Sequence, residues 1–337
     1  MFISQILMSF FRLSKPRFWR TINVVSILLL PLSLIYLAIV CLRYFLAKPV
    51  KLSVPVICVG NAVVGGSGKT PIAIAIARYL QAQGRNVAFA SRGYMGHSST
   101  SKNSIAVTSQ DYKVVGDEAL LLARVANTFV GANKQAVASD ATKNGAQVVI
   151  LDDGLQNHSI AKTFSILVVN LSYQFGNHMV LPSGPLREPL ALSLAKADCI
   201  LTTGEASEEE HVRLANLRYG LPVFKANLVV TNAKEISNGT FLVLAGIAEP
   251  ERFLNTLKGL NITMKDVFIF GDHHIYTDAE FNAIFEISQK TGIKVLTTSK
   301  DYVKIPKHYL QHTTCLEIAY ELPQEFLALL DLLPSSF

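Results

Sequence analysis

Charge is scarce in this chain: 17% of its 337 residues are Asp, Glu, Lys or Arg, against 50% hydrophobic. A mean hydropathy of +0.32 is apolar for a soluble enzyme, and the excess is concentrated at the N-terminus. Cysteine is also sparse. The four present (Cys41, Cys58, Cys199, Cys315) are scattered, with no pair at metal spacing, which excludes a zinc site and a disulfide framework and points to a reducing compartment. Cys58 falls in an apolar run and reads as a small core residue. No basic patch interleaved with aromatics occurs, so the net charge of +6 does not read as a nucleic-acid surface. It suits another anionic partner: a nucleotide, a phosphorylated substrate or an acidic lipid. An Asn-Lys-x-Asp signature of a GTP switch is missing as well; Ser299-Lys300-Asp301 has the wrong spacing and no Asn.

What is present centres on Val56-Ile-Cys-Val-Gly-Asn-Ala-Val-Val-Gly-Gly-Ser-Gly-Lys-Thr-Pro71. A short apolar run ending at Gly60-Asn61 predicts a buried parallel strand. Glycines follow, and then Lys69-Thr70 opens Ile72 to Leu80, which has helical length. Strand, glycine loop, Lys-Thr and helix form the layout of a phosphate-binding loop made of Val63, Val64, Gly65, Gly66, Ser67, Gly68, Lys69 and Thr70. Its glycines let backbone N–H groups turn inward, and the helix N-terminus adds partial positive charge. Lys69 reaches toward β- and γ-phosphates, and the Thr70 hydroxyl toward Mg²⁺. The strict pattern wants glycine at position 63, where this chain has Val63.

From Ile22 to Leu42 there are 21 residues without a charge, long enough to cross a bilayer core. Arg12, Lys15, Arg17 and Arg20 precede this segment, Phe18 and Trp19 stand at headgroup level, and Arg43, Lys48 and Lys51 follow. The apolar region is too long for a cleaved signal peptide, and no small-x-small cleavage site follows. A buried core helix is the other alternative. Positive charge on both flanks leaves orientation open. Pro31 predicts a kink, so both a spanning and an interfacial geometry fit a membrane anchor.

Further strands are predicted at Asn86–Ser91, Gln147–Asp152, Ser165–Val169, Asp198–Thr202 and Pro222–Ala226. Arg92 and Tyr94 follow the first of these, where residues of an open α/β sheet face the ligand crevice; a plain turn explains them equally well. Asp117 and Glu118 begin a helical pattern, where capping alone accounts for them. Asp152-Asp153-Gly154 ends a buried strand as a Walker B element does, although a turn-forming Asp-Gly explains Asp153 as easily. Leu181-Pro-Ser-Gly-Pro-Leu-Arg-Glu-Pro189 is a stiff loop presenting Arg187. The run Ser207-Glu-Glu-Glu-His211 reads as a solvated helix face.

From about Thr231 the αβ pattern restarts. Strands are predicted at Phe241–Gly246, Val267–Phe270 and Lys294–Thr298, and helices from Pro250 and from Thr277, whose Glu280 completes a capping box. The expected organisation is thus a membrane-anchoring helix (1–47), a core with a P-loop NTPase-like parallel sheet and helices on both faces (48–230), and a smaller α/β lobe (231–337).

These pieces together resemble the tetraacyldisaccharide 4'-kinases of Gram-negative bacteria over nearly the whole chain. The resemblance rests on Gly60-Asn61 with Val64 to Pro71, Ser91-Arg-Gly-Tyr94, Gly116-Asp-Glu118, Asp152-Asp-Gly-Leu-Gln-Asn-His158, Leu181 to Pro189, Asp272-His-His274 and Thr297-Thr-Ser-Lys-Asp301, in the family's order. Absence of the first P-loop glycine is typical of that family. The resemblance implies transfer of the ATP γ-phosphoryl group to the 4'-hydroxyl of an acylated glucosamine disaccharide 1-phosphate, giving lipid IVA for lipid A. The site would lie at the cytoplasmic face of the inner membrane, with no nucleic acid and no obligate protein partner. It further implies Asp117 as general base with His273 beside it, Lys69 on the transferring phosphoryl, and Glu118, Asp152 and Thr70 on Mg²⁺. Arg92, Tyr94, Asp153, Gln156 and Arg187 would contact substrate or phosphates, and the smaller lobe would close as a lid. The rival is a membrane-associated ATPase switch of the partitioning type. Its loop carries lysine before the first glycine, where this chain has Val64.

Overall fold

The computed structural model describes residues 16–94, 96–101, 103–108, 111–204 and 220–334. Arg12, Lys15 and the Ser207–His211 run lie outside the described residues.

The larger sheet contains β1 (Val56–Gly60), β2 (Val87–Ser91), β3 (Ile105–Ala106), β4 (Asn127–Val130), β5 (Val148–Asp152), β6 (Phe164–Asn170), β7 (Cys199–Thr203) and β8 (Val223–Lys225). Its order is β3-β4-β2-β5-β1-β6-β7-β8, parallel throughout except for the antiparallel edge pair β3–β4. Strand β1 lies between β5 and β6, and all five of its residues are buried. Their side chains alternate between two cores: Ile57 and Val59 on one face, Val56 and Cys58 on the other. An apolar run with no polar alternation is what a parallel strand covered on both faces requires. Helix α3 (Lys69–Ala82) covers the first face with Ile72, Ile76 and Leu80, while α6 (Lys134–Lys143) packs Val137, Ala138 and Ala141 onto the other. Because these strands are parallel, β1, β2 and β5 all end on one edge. The glycine loop, Arg92-Tyr94 and Asp152-Asp153 share that edge.

The second sheet joins β10 (Thr240–Ala245), β11 (Thr263–Ile269), β12 (Val295–Thr298) and β13 (Thr313–Leu316) in the order β11-β10-β12-β13, all parallel. It has a core on each face. Helix Asp278–Thr291 begins at Thr277 with the capping box formed as the pattern predicts. After β13 the chain returns. Strand β14 (Ile318–Glu321) pairs antiparallel with β9 (Asn227–Val230), and helix Gln324–Asp331 buries Phe326 and Leu330 in the core of the large sheet. Residues 318–331 are therefore structurally part of the first lobe.

At the N-terminus the uncharged segment does not form one helix. It divides into α1 (Val24–Leu28) and α2 (Leu30–Leu46) at Leu29. Pro31 supplies the reason: with no N–H to donate and a ring that clashes one turn back, it is tolerated only in the first turn of a helix, where it sits in α2. Seventeen residues at 1.5 Å each give α2 about 25 Å, short of a hydrocarbon core of roughly 30 Å. Among the described residues no helix is long and apolar enough to cross a membrane; the one hydrophobic helix expected at the N-terminus is not found, and two shorter ones stand in its place. The usual polarity is also inverted. Val24, Leu28, Leu34 and Phe45 are exposed, whereas Ser26 and Ser33 are buried.

Candidate active site

The phosphate loop spans β1 to α3. Gly65 (φ +101°) and Gly68 (φ +82°) adopt the left-handed backbone that other residues enter only with strain. A β carbon on Gly66 would meet no atom within 4 Å, so that side of the loop is open. Val63 is not part of the turn. Its side chain is buried and its backbone bridges Leu186, while Val64 N–H donates to the Pro185 carbonyl (2.9 Å). The Pro/Gly loop thus braces the first half of the phosphate loop, and position 63 has no need of glycine. On the other side, the Thr203 hydroxyl donates to the Ser67 carbonyl (3.1 Å).

Two adjacent carboxylates end β5 and behave oppositely. The Thr70 hydroxyl donates to Asp152 Oδ2 (3.0 Å), while Oδ1 is buried and accepts no hydrogen bond from the protein. Burial, then the nearby Glu118 charge, raises the Asp152 pKa to about 7. Asp153 turns the other way on a left-handed backbone (φ +54°). It meets Lys69 at 3.7 Å and Arg187 at 2.8 and 2.9 Å through its two oxygens. Burial alone would raise its pKa; Lys69, Arg187 and Lys134 together hold it below the usual carboxylate range. Lys134, at the start of α6, was not singled out from sequence. Its ammonium donates to the carbonyls of Asp152 (3.1 Å) and Asp153 (2.6 Å), clamping the turn that separates the two acids.

The third cluster spans the two lobes. Gly116 (φ +88°) caps α5 (Asp117–Ala123), where a β carbon would stand 2.3 Å from the Tyr94 carbonyl. This tight turn delivers Asp117, which is buried and receives the Glu118 N–H on Oδ1 (2.8 Å). From the smaller lobe, His273 Nδ1 lies 3.0 and 3.1 Å from the Asp117 oxygens, and its Nε2 lies 3.8 Å from Asp272. Lys304 Nζ stands 3.3 Å from Asp117 Oδ2, and Lys300 donates to Glu118 (2.7 Å). Burial pushes the His273 pKa down, but Asp117 reverses that and leaves it raised. Asp117 is lowered against its own burial by His273, Lys300 and Lys304.

Among the remaining predicted residues, Tyr94 is exposed with its ring edge-on to His273 (5.4 Å between centroids). Arg92 is exposed at the same strand end. Gln156 faces inward, donating to the Asn61 carbonyl (2.9 Å) and Glu188 (3.2 Å), so it ties the strand-end turn to the Pro/Gly loop. Lys300, Asp301 and Lys304 escaped assignment although the first two stand in a quoted motif; the acids that Lys300 and Lys304 meet, Glu118 and Asp117, lie far away in sequence. Among the described residues, no three His, Cys, Asp or Glu side chains form a metal cage. Mg²⁺ requires none, since it is commonly held by one or two carboxylates, waters and substrate phosphates. The unsatisfied Asp152 Oδ1, its neighbour Glu118 and the Thr70 hydroxyl are the oxygen donors such an ion fits.

A family model described as Tetraacyldisaccharide-1-P 4'-kinase matches residues 25–333. The chain belongs to the tetraacyldisaccharide 4'-kinase family. It is 40% identical over 309 residues to the tetraacyldisaccharide 4'-kinase of Paramagnetospirillum magneticum, covering 91% of this chain and 94% of that one. The enzyme of Rhodospirillum rubrum is 36% identical over 324 residues, with 94% and 96% covered. Among solved structures, LpxK from Aquifex aeolicus in complex with ATP aligns with a TM-score of 0.72 at 27% identity, over 90% of this chain and 97% of that one. The matched range, residues 25–333, includes the glycine loop, Asp117, the Asp152-Asp153 turn and His273 of this tetraacyldisaccharide 4'-kinase family member.

Proposed function

We propose that this chain transfers the γ-phosphoryl group of ATP to the 4'-hydroxyl of a tetraacyldisaccharide 1-phosphate, giving lipid IVA, at the cytoplasmic face of the inner membrane. The observation that carries this reading is the contact of Asp117 with His273 across the two lobes, on the sheet edge that also holds the Lys69 loop. An ATPase switch has no need of a base for an organic hydroxyl, whereas a sugar hydroxyl is a poor nucleophile and benefits from one.

In this reading Asp117 accepts the proton of the acceptor hydroxyl as its oxygen bonds to the γ-phosphorus and the bond to the β–γ bridging oxygen breaks. His273 orients the Asp117 carboxylate. Lys69 exchanges its 3.7 Å contact with Asp153 for the phosphate chain and offsets the charge on the transferring phosphoryl. Arg187, held against Asp153, and Arg92 and Tyr94 at the β2 end, meet substrate or phosphate oxygens, while Gln156 supports the turn behind them. Thr70, Asp152 and Glu118 would hold Mg²⁺, which would neutralise phosphate charge when bound. The smaller lobe, from residue 231, acts as the lid that carries His273. The exposed apolar side chains of α1 and α2 seat the enzyme against the bilayer that holds its acylated acceptor, lying in the interface rather than spanning it.

The test is transfer of ³²P from ATP to tetraacyldisaccharide 1-phosphate in detergent micelles with Mg²⁺, wild type beside Lys69→Ala and Asp117→Ala. Labelled bisphosphorylated lipid is expected from wild type. Losses of at least 10²-fold are expected from each variant, the scale of removing a base or a charge stabiliser. ATP hydrolysis with no labelled lipid would transfer the assignment to the ATPase switch.

A further inference from the structure

Asp301, which closes the Thr297-Thr-Ser-Lys-Asp301 motif, has so far no role, yet it and Lys304, three residues on, are both enclosed charges. The side chains of Asp301 and Lys304 are 0% and 1% exposed, and their ion pair is 3.2 Å long. Charges taken so far from water persist only where every lone pair and proton finds a partner. Asp301 meets that demand with donors from four places in the smaller lobe. Its Oδ2 accepts the Gly246 N–H (2.8 Å), beyond β10, and the Thr298 hydroxyl (2.9 Å). Its Oδ1 accepts Lys304 and the Tyr276 hydroxyl (3.0 Å).

Tyr276 lies three residues after His273, on the same segment. Asp301 therefore holds two things in fixed relation: the segment that carries His273, and the Lys304 ammonium. Both point at one carboxylate. His273 Nδ1 and Lys304 Nζ converge on Asp117 Oδ2 at 3.0 and 3.3 Å, both from the smaller lobe. Because Lys304 keeps Asp301 as its own partner, it stays compensated in the interior of the lobe whether or not Asp117 is in reach. It is a cation stored for docking.

We propose that Asp301, Lys304 and Tyr276 are positioning residues, which lock His273 and Lys304 into one rigid unit so that closure of the smaller lobe seats both on Asp117 together. The proposal rests on the kinase reading only for its activity readout. With Lys304 on one side of Oδ2 and the Glu118 N–H on Oδ1, the carboxylate is held at both oxygens before the acceptor hydroxyl arrives. Weakening the unit then costs orientation of the base rather than nucleotide binding, since Lys69 and Thr70 belong to the other lobe and touch none of these residues.

Two full-length variants separate this from a purely structural role. Asp301→Asn with Lys304→Met removes both buried charges at once and leaves neither unpaired. Tyr276→Phe keeps the charges and the ring but cuts the link to the His273 segment. In the micelle assay kcat is expected to fall roughly tenfold to a hundredfold in the double variant, the scale on which displacing a reacting group by an ångström acts. A smaller fall is expected for Tyr276→Phe, with KM for ATP little changed in both. Hydrogen exchange supplies a readout that needs no activity: segments 271–276 and 116–118 are expected to lose protection together. Folded variants with wild-type kcat and unaltered exchange would overturn the proposal, as would a loss of stability with kcat of the folded fraction intact. If wild type itself transfers no phosphate, the kinase reading fails, and exchange in the two segments still decides whether the unit exists.

Discussion

His158 stands with its ring edge-on to Tyr44 of α2, 4.9 Å between centroids, beside a cluster of cations. Burial, followed by Lys196 and Lys162, depresses its pKa to about 4, with Glu188 opposing and Arg43 adding to the effect. The sign of the consequence follows from proton binding. An unfolded chain, with histidine near its ordinary value of about 6.5, binds the proton more readily than the folded one. The folded state is favoured by this group above about pH 6.5, and that contribution is lost as pH falls from there toward 4. Thermal midpoints of wild type and His158→Gln, compared across that window, should converge as pH falls if the wild type starts higher, with the wild-type curve the steeper. Equal slopes would show that His158 is no sensor of the α2 contact. At the same scale, Lys134 explains how neighbouring acids acquire opposite fates. By holding both carbonyls it fixes the left-handed turn at Asp153, which sends one carboxylate toward Thr70 and the other toward Lys69 and Arg187.

Among the elements, α5 shows how backbone geometry sets chemistry. A helix that begins with Asp117-Glu118 is favoured electrostatically in any protein, and nothing in its seven residues distinguishes a cap from a base. The turn before it does. Gly116 combines positive φ with an approach to Tyr94 that leaves no space for a side chain. Gly116→Ala should therefore destabilise the fold, by more than the roughly 1 kcal/mol that an unstrained glycine-to-alanine replacement can contribute in the stabilising direction, and displace Asp117 from His273. Urea denaturation together with phosphoryl transfer checks both, and near-wild-type values of the two would refute the tight-turn argument. Helix α2 is the converse case, since its composition suggested insertion while its contacts set its place. The Ser33 hydroxyl reaches the Val180 carbonyl (3.0 Å) and Ser183 (2.7 Å), and the Tyr36 hydroxyl donates to the Arg187 carbonyl (2.7 Å). Ser33 and Tyr36 thus face the loop that positions Arg187, while Leu32, Leu34, Ile35 and Ile39 face outward.

At the scale of the molecule, the two sheets are joined twice: through the chain at residues 227–240, and through β14 with the helix that follows it. Phe326, fully buried and 5.7 Å from the Phe224 ring, is the anchor of that second tie. Phe326→Ala should cost about 3–5 kcal/mol, the usual penalty for emptying a buried aromatic site. It should lower the midpoint of the large sheet, which lies before it in sequence, as read by hydrogen exchange across β1, β7 and β8. Destabilisation confined to the smaller sheet would refute the tie. A sheet joined at two points can rotate but not drift, which suits a site whose Asp117 and His273 lie 156 residues apart.

Much of this protein was legible locally. The glycine loop, the acids after β5 and the capping box at Thr277 are patterns of a few residues whose physics is complete within one strand–turn–helix unit, and the sequence alone determined them. It also determined that the N-terminal segment is apolar. Pro31 marked where that segment divides, but where α2 lies came from hydrogen bonds to residues 147 to 151 positions away. Only the tertiary structure decided that Lys304 joins His273 on Asp117, that Asp152 and Asp153 part company, and that the last helix returns to the first sheet. Those outcomes depend on which strand ends are brought together by parallel pairing and by the packing of the two sheets. A charge or histidine carries no mark of its partner until topology sets the distance between them.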